Sequence, residues 1–217
     1  MILWVDEMSE EQTIPSLEAL LDDMMHPNPR IQEEAAAVMA EHYPLEALPK
    51  LLALFCHDDP KVYRAAVKGI GFFGCAAFLP LIQLYETTEN QTARRCCPKA
   101  FVQLFKNFPN KPFPDEVMTM LDQGIEHPDA VVVQGALMCL GQIGKQDLKS
   151  EEAISILKRA LVSDNIALVY SASQALADIP NPKAKEALIV LLSNAEEPLL
   201  KEAAESAIAR FDNLMGS

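Results

Sequence analysis

No CxxC or CxxH spacing occurs in the chain, and its five cysteines are scattered through 217 residues. A chain of this length buries a core without covalent staples, so the pattern excludes a disulfide framework and points to free thiols in a reducing compartment. Glycine is sparse, at eight residues, and no Gly-rich phosphate loop can be built from it. There is likewise no Ser/His/Asp set tied together by a motif and no paired-carboxylate motif, which lowers the expectation of an enzyme. No apolar run reaches transmembrane length, and residues 1–11 are acidic where a signal peptide is basic. The expectation is an unexported cytoplasmic protein. Basic residues are also in deficit, 18 against 31 acidic, and the net charge of −13 sets nucleic acid and anionic membranes at a disadvantage as partners. A protein or a small molecule is the expected partner.

What the chain does have is a repeat. A branched or small apolar residue is followed four positions later by a small one at Ile31/Ala35, Val62/Ala66, Ala93/Cys97, Val132/Ala136, Leu168/Ala172 and Leu200/Ala204. Four further on stand Met39, Ile70, Phe101, Leu140, Leu176 and Ile208, completing one stripe along a helix face. Successive anchors lie 31, 31, 39, 36 and 32 residues apart, a period that fits a two-helix repeat stacked into a solenoid. Three residues before each anchor comes Asn28, Asp59, Asn90, Asp129, Asn165 or Glu197, followed in three repeats by Pro29, Pro60 or Pro198. These are helix starts: the side chain caps free N–H groups, and proline suits the first helical position. Each start opens the second, or B, helix of a pair. Preceding apolar segments supply the A helices, over 17–25, 45–56, 77–85, 115–125, 151–162 and 183–192.

The resulting expectation is an all-α superhelix of about six helix pairs. It occupies residues 17–211, between an acidic N-terminal segment (1–16) and a short tail (212–217). The run Pro49-Lys50-Leu51-Leu52 through Asp59-Pro60-Lys61-Val62, then Ala65-Ala66 and Gly69-Ile70-Gly71, resembles the HEAT-repeat family, including the proline inside helix A that Pro80 repeats. The glycines at Gly71 to Gly74 and Gly141 to Gly144 are more similar to the subgroup found in cyanobacterial phycobilin lyases and their non-catalytic relatives. That resemblance implies subunits that attach or detach bilins, proteins assisting phycobilisome turnover, or a partner of iron–sulfur carrier proteins. It transfers no catalytic residue. The reading is a protein-binding adapter or chaperone-like scaffold. A bilin lyase acting on phycobiliproteins is the first alternative, and a scaffold for an iron–sulfur carrier the second. A bilin or a shared iron–sulfur cluster is the corresponding cofactor, and a phycobiliprotein, a lyase subunit or an iron–sulfur carrier the corresponding partner.

Repeats that share a core are informative where they differ. From Asn90 to Pro114 there are five basic residues, Arg94, Arg95, Lys99, Lys106 and Lys111, and no acidic one. Two and six residues after the anchor, repeat 2 carries Arg64 and Lys68 and repeat 3 carries Arg95 and Lys99, each pair on one helix face. Repeat 1 has Glu33 and Ala37 there, and repeat 4 has Gln134 and Met138. The expected partner-binding strip is therefore Arg64, Lys68, Arg94, Arg95 and Lys99, with Tyr63 beside it, set against the alternative of solvated surface charges. Pro98 either kinks the third B helix or lies in the first turn of a helix that starts late. A proline-rich segment, 107–114, follows, and ten of the fourteen aromatic residues fall between Phe55 and Phe113, suggesting an aromatic surface there.

Cys97 occupies the small core position filled by alanine elsewhere. Cys96, flanked by Arg94, Arg95 and Lys99, is the candidate reactive thiol, because nearby cations favour a thiolate. Cys56, Cys75 and Cys139 read as packing residues. His26, His57 and His127 each stand five residues before an anchor, at the end of helix A, where the helix dipole favours them; no metal site is expected. The seven acids of residues 1–29 read as a solvated cap on the open end or as a surface for a basic partner, and Trp4 as a cover over the first repeat or a partner.

Overall fold

A computed structural model describes residues 14–216. Within them the chain forms twelve α-helices in six A/B pairs: α1 (Leu17–Asp23) with α2 (Pro29–His42), α3 (Pro44–Ala53) with α4 (Pro60–Ile70), α5 (Phe78–Thr87) with α6 (Gln91–Asn107), α7 (Asp115–Gly124) with α8 (Ala130–Gly144), α9 (Ser150–Ala160) with α10 (Ile166–Ala177), and α11 (Pro182–Asn194) with α12 (Pro198–Met215). The helix α12 runs past Phe211, so most of the expected tail is its last turn. Trp4 and the rest of residues 1–13, for which a cap was expected, lie outside the described residues.

Consecutive B helices pack on one another along the whole series, whereas neighbouring A helices touch far less. A layer joined tightly on one side and loosely on the other curves with the tight side inward, so the B helices form the inner row. The small residues of the stripe make that approach feasible: Ala66, Ala93, Cys97, Ala172 and Ala204 are wholly buried, and Ala35 and Ala136 nearly so. The α6–α8 contact shows how close that approach is. A Cβ placed on Gly135 would lie 2.8 Å from Cγ of Pro98, so the glycine of α8 makes room for the proline ring of α6. Pro98 stands inside a helix that begins at Gln91, with Asn90 accepting from the Ala93 N–H at 2.9 Å; the late-starting alternative does not hold.

Five of the six expected caps form in the same way. Asn28, Asp59, Asn90, Asp129 and Asn165 accept from backbone N–H groups two or three residues on, while Glu197 makes no side-chain cap. A second bond precedes each cap. Nδ1 of His26, His57 and His127 accepts from the cap residue's own N–H at 3.0 Å, and the hydroxyls of Thr88 and Ser163 do so at 3.1 Å. The histidines are turn acceptors. Their role is shared with Thr and Ser at the same repeat position, which a helix-dipole explanation does not cover.

The proline-rich segment is strapped down. Buried Gln146 accepts from the Asn110 N–H at 3.0 Å and donates to the Phe105 carbonyl at 3.4 Å, while Asn110, at φ 58°, accepts from the Asp147 N–H at 2.9 Å. Phe78 packs against Phe101, Phe105 and Phe113 at 5.6–6.0 Å between ring centroids, and Phe105 meets Phe113 edge-on at 4.7 Å. The expected aromatic surface is thus largely an aromatic core.

Candidate binding surface

The B helices expose one register. Positions two and six residues after each anchor, and those ten after it, point along the inner face of the curve. In repeats 4 and 5 these positions are Gln134, Met138, Gln142, Tyr170, Gln174 and Asp178, and all six line a groove of about 430 Å³ that runs across α6, α8, α10 and α12. Met138 and Tyr170 are each 52% exposed in it, unusual for large apolar side chains on a polar surface. Lys106, Lys145 and Arg210 complete the wall. Asp178 holds two of them, Lys145 at 3.3 Å and Arg210 at 2.5 Å.

Arg64, Lys68, Arg95 and Lys99 occupy the same register in repeats 2 and 3, on α4 and α6, which pack side by side. The face therefore changes character along its length. It is acidic at Glu33, basic over the next two repeats, and amide-rich with exposed apolar groups in the fourth and fifth. The cations are not all equally available, however. Lys68 lies 3.8 Å from Glu33 of α2, and Arg95 donates to Asp129 at 2.6 Å. Arg94 donates to the carbonyls of Tyr85 (3.2 Å) and Thr88, closing the end of α5. Arg64 reaches over the Tyr63 ring at 6.0 Å, and neither Arg64 nor Lys99 has a carboxylate partner among the described residues. Internal pairing relieves part of the mutual repulsion among these cations.

Asp129 shows how tightly Arg95 is engaged. Burial pushes its carboxyl up, but the Arg95 hydrogen bond and the Val131 and Val132 N–H groups outweigh this and hold it below the ordinary carboxylate value.

Cys96 meets the opposite environment from the one its flanking cations suggest. It is buried, and burial pushes the thiol up to about 11 against the lowering influence of Lys99. Desolvation wins because α6 turns Cys96 inward while its basic neighbours in sequence point elsewhere. Cys97 and Cys139 are also buried and raised by burial. Cys56 and Cys75, expected to be packing residues, are exposed. Among the described residues no three His, Cys, Asp or Glu side chains converge to hold a metal ion, and no helix is long and apolar enough to cross a membrane.

Sequence reasoning identified the register but stopped at its charged half. Tyr170, Lys145 and Arg210 were missed, though a large aromatic at the second position after an anchor was a readable signal. The groove needs four adjacent repeats to close, which no single repeat reveals.

This architecture, a row of helix pairs with an inner B-helix face, is that of a helical-repeat solenoid. HEAT repeats match residues 14–100 and 117–209, and the chain belongs to that family. Among its relatives is the Bilin biosynthesis protein CpeZ of Synechococcus sp. (strain WH8020), 40% identical over 185 residues, covering 85% of this chain and all of that protein. The Uncharacterized phycocyanin operon protein Z of Pseudanabaena tenuis (strain PCC 7409) is 29% identical over 203 residues, covering 93% of this chain and 98% of that one. Of solved structures, a designed armadillo repeat protein in complex with the peptide (KR)4 aligns over 91% of this chain and all of its own at a TM-score of 0.51 and 17% identity. A Kap121p mutant aligns over 92% of this chain and 23% of its own at 0.52 and 15% identity. These two share the fold.

Proposed function

We propose that the chain is a non-catalytic binding protein in bilin biosynthesis. On this reading its B-helix face holds a phycobiliprotein or a lyase subunit while the bilin is handled elsewhere. The observation that carries the reading is the continuous inner register, in which Arg64 and Lys99 of repeats 2 and 3 are followed by the exposed Met138 and Tyr170 of repeats 4 and 5. A cationic stretch beside exposed apolar groups suits a protein surface that is partly acidic and partly apolar. The relation to the Bilin biosynthesis protein CpeZ supports the pathway. High thiol values at Cys96 and Cys97 speak against thioether exchange through those sulfurs at neutral pH.

The test is binding of apo-phycobiliprotein subunits to the wild-type chain, to Arg64→Glu/Lys99→Glu and to Met138→Asp/Tyr170→Asp. Each double variant is expected to weaken binding at least about tenfold, because each removes one half of the complementary surface. Unchanged affinity in both variants would overturn the assignment of the face. Incubation of the chain alone with free bilin and apo-subunit tests the non-catalytic part: a covalent bilin adduct on the subunit would make it a lyase.

A further inference from the structure

Away from the inner face, at the edge where A helices turn into B helices, a gap is left open between the ends of α9 and α11 and the starts of α10 and α12. Its floor is apolar and closed, with Leu161, Ala187 and Leu191 buried. Its walls are apolar and exposed: Val162 at 84%, Val190 at 58% and Ile166 at 40%. The cavity they bound has a volume of about 690 Å³, larger than the groove on the inner face. Isoleucine and valine side chains lifted from a closed apolar floor to this degree have no internal packing role at their tips.

The rim decides what fits. Asp164, Glu186, Glu196 and Glu197 stand around the cavity, and none has an ion-pair partner among the described residues. Lys158 is the single cation lining it. Where the furrow continues past Val162 along α9, the cations Arg159 and Lys183 are already joined to Asp122 and to Glu151 (2.6 Å), so that stretch adds little net charge. The uncompensated charge around the apolar opening is negative. A second copy of this chain, at net charge −13, or its own acidic residues 1–13, would meet repulsion there, as would a phosphate-bearing surface.

We propose that this furrow docks a basic amphipathic helix of a partner protein, its apolar side chains entering between Val162 and Val190 and its lysines or arginines meeting the rim carboxylates. The furrow shares no lining residue with the inner groove, so the chain holds two protein surfaces at once, one on the inner face and one at the turn edge.

The experiment uses two labelled synthetic peptides, an amphipathic leucine–lysine helix and its leucine–glutamate counterpart, with binding followed by fluorescence anisotropy. The full chain is compared with Val162→Asp/Val190→Asp, with Glu186→Lys/Glu196→Lys, and with Glu46→Lys/Glu116→Lys. The last pair makes the same charge change at exposed positions in other repeats. Binding of the lysine peptide alone, lost at least about tenfold in the first two variants and kept in the third, is the expected result. No binding of the lysine peptide, or an equal loss in all three variants, would overturn the proposal and mark the attraction as general acidity. All six positions are at the surface, and circular dichroism verifies the fold of each variant. Binding of apo-phycobiliprotein subunits to the Val162→Asp/Val190→Asp variant separates the two surfaces, since loss at the furrow leaves the inner face intact.

Discussion

Gly135→Ala should destabilise the chain although alanine is the better helix former, and the same substitution should stabilise it once Pro98 is gone. The new Cβ would sit 2.8 Å from Cγ and 3.2 Å from Cβ of Pro98. That ring is rigid and fixed in the backbone of α6, so it cannot swing aside as a long side chain would. Overpacking of this kind costs about 1–3 kcal/mol. Replacing glycine by alanine inside a helix returns about 1 kcal/mol. The net effect in the wild-type background is a loss of about 1 kcal/mol. In a Pro98→Ala background the 2.8 Å clash with Cγ disappears and only the 3.2 Å contact with Cβ is left, which a shift of a few tenths of an ångström relieves, so the helix gain prevails and Gly135→Ala raises stability by about 1 kcal/mol. The coupling between the two sites is therefore about 2 kcal/mol, read from urea unfolding of the four chains by circular dichroism at the helix band. Additivity within about 0.5 kcal/mol would refute the claim that the glycine exists to receive the proline.

Three other outcomes follow from the geometry. Asp129→Asn keeps the cap on Val131 but loses the charged bond from Arg95, a loss of about 1 kcal/mol for a partly exposed pair. Because the folded carboxyl lies below its ordinary value, its contribution is complete above about pH 4 and is lost as pH falls through the folded value. The stability gap between wild type and variant should thus be widest near neutrality and close in acid; a gap independent of pH would contradict the assigned cause. Native protein should react with a thiol reagent at two fast sites, Cys56 and Cys75, and at all five only when unfolded; fast labelling of Cys96 would show its burial to be wrong. His57→Ala should cost about 1 kcal/mol in thermal unfolding, whereas His57→Thr, which restores the acceptor used at Thr88, should cost less than half of that. Equal losses would mean that the imidazole contributes by packing.

How much of this was legible in the chain depends on how local each feature is. Helix starts at Asn28, Asp59, Asn90, Asp129 and Asn165 could be read directly, since a cap and the N–H groups it satisfies lie within three residues of one another. The stripes from Ile31 to Ile208 likewise announce a buried face through periodicity alone. The second capping bond from His26, His57 and His127 was present in the sequence too, but its meaning appears only when Thr88 and Ser163 are seen in the same place. What the sequence alone determined, then, is the repeat, its register and the cations that the second and third repeats bring to the inner face. Tertiary structure decided which of those cations are spoken for, because Arg95 finds Asp129 and Lys68 finds Glu33 only across neighbouring repeats. It also decided that Cys96 is a protonated buried thiol, since desolvation depends on which way α6 is turned. The inner groove and the furrow at the turn edge likewise arise between stacked helices, and their shape is set by how far adjacent pairs fan apart, a distance that no residue carries in its own neighbourhood.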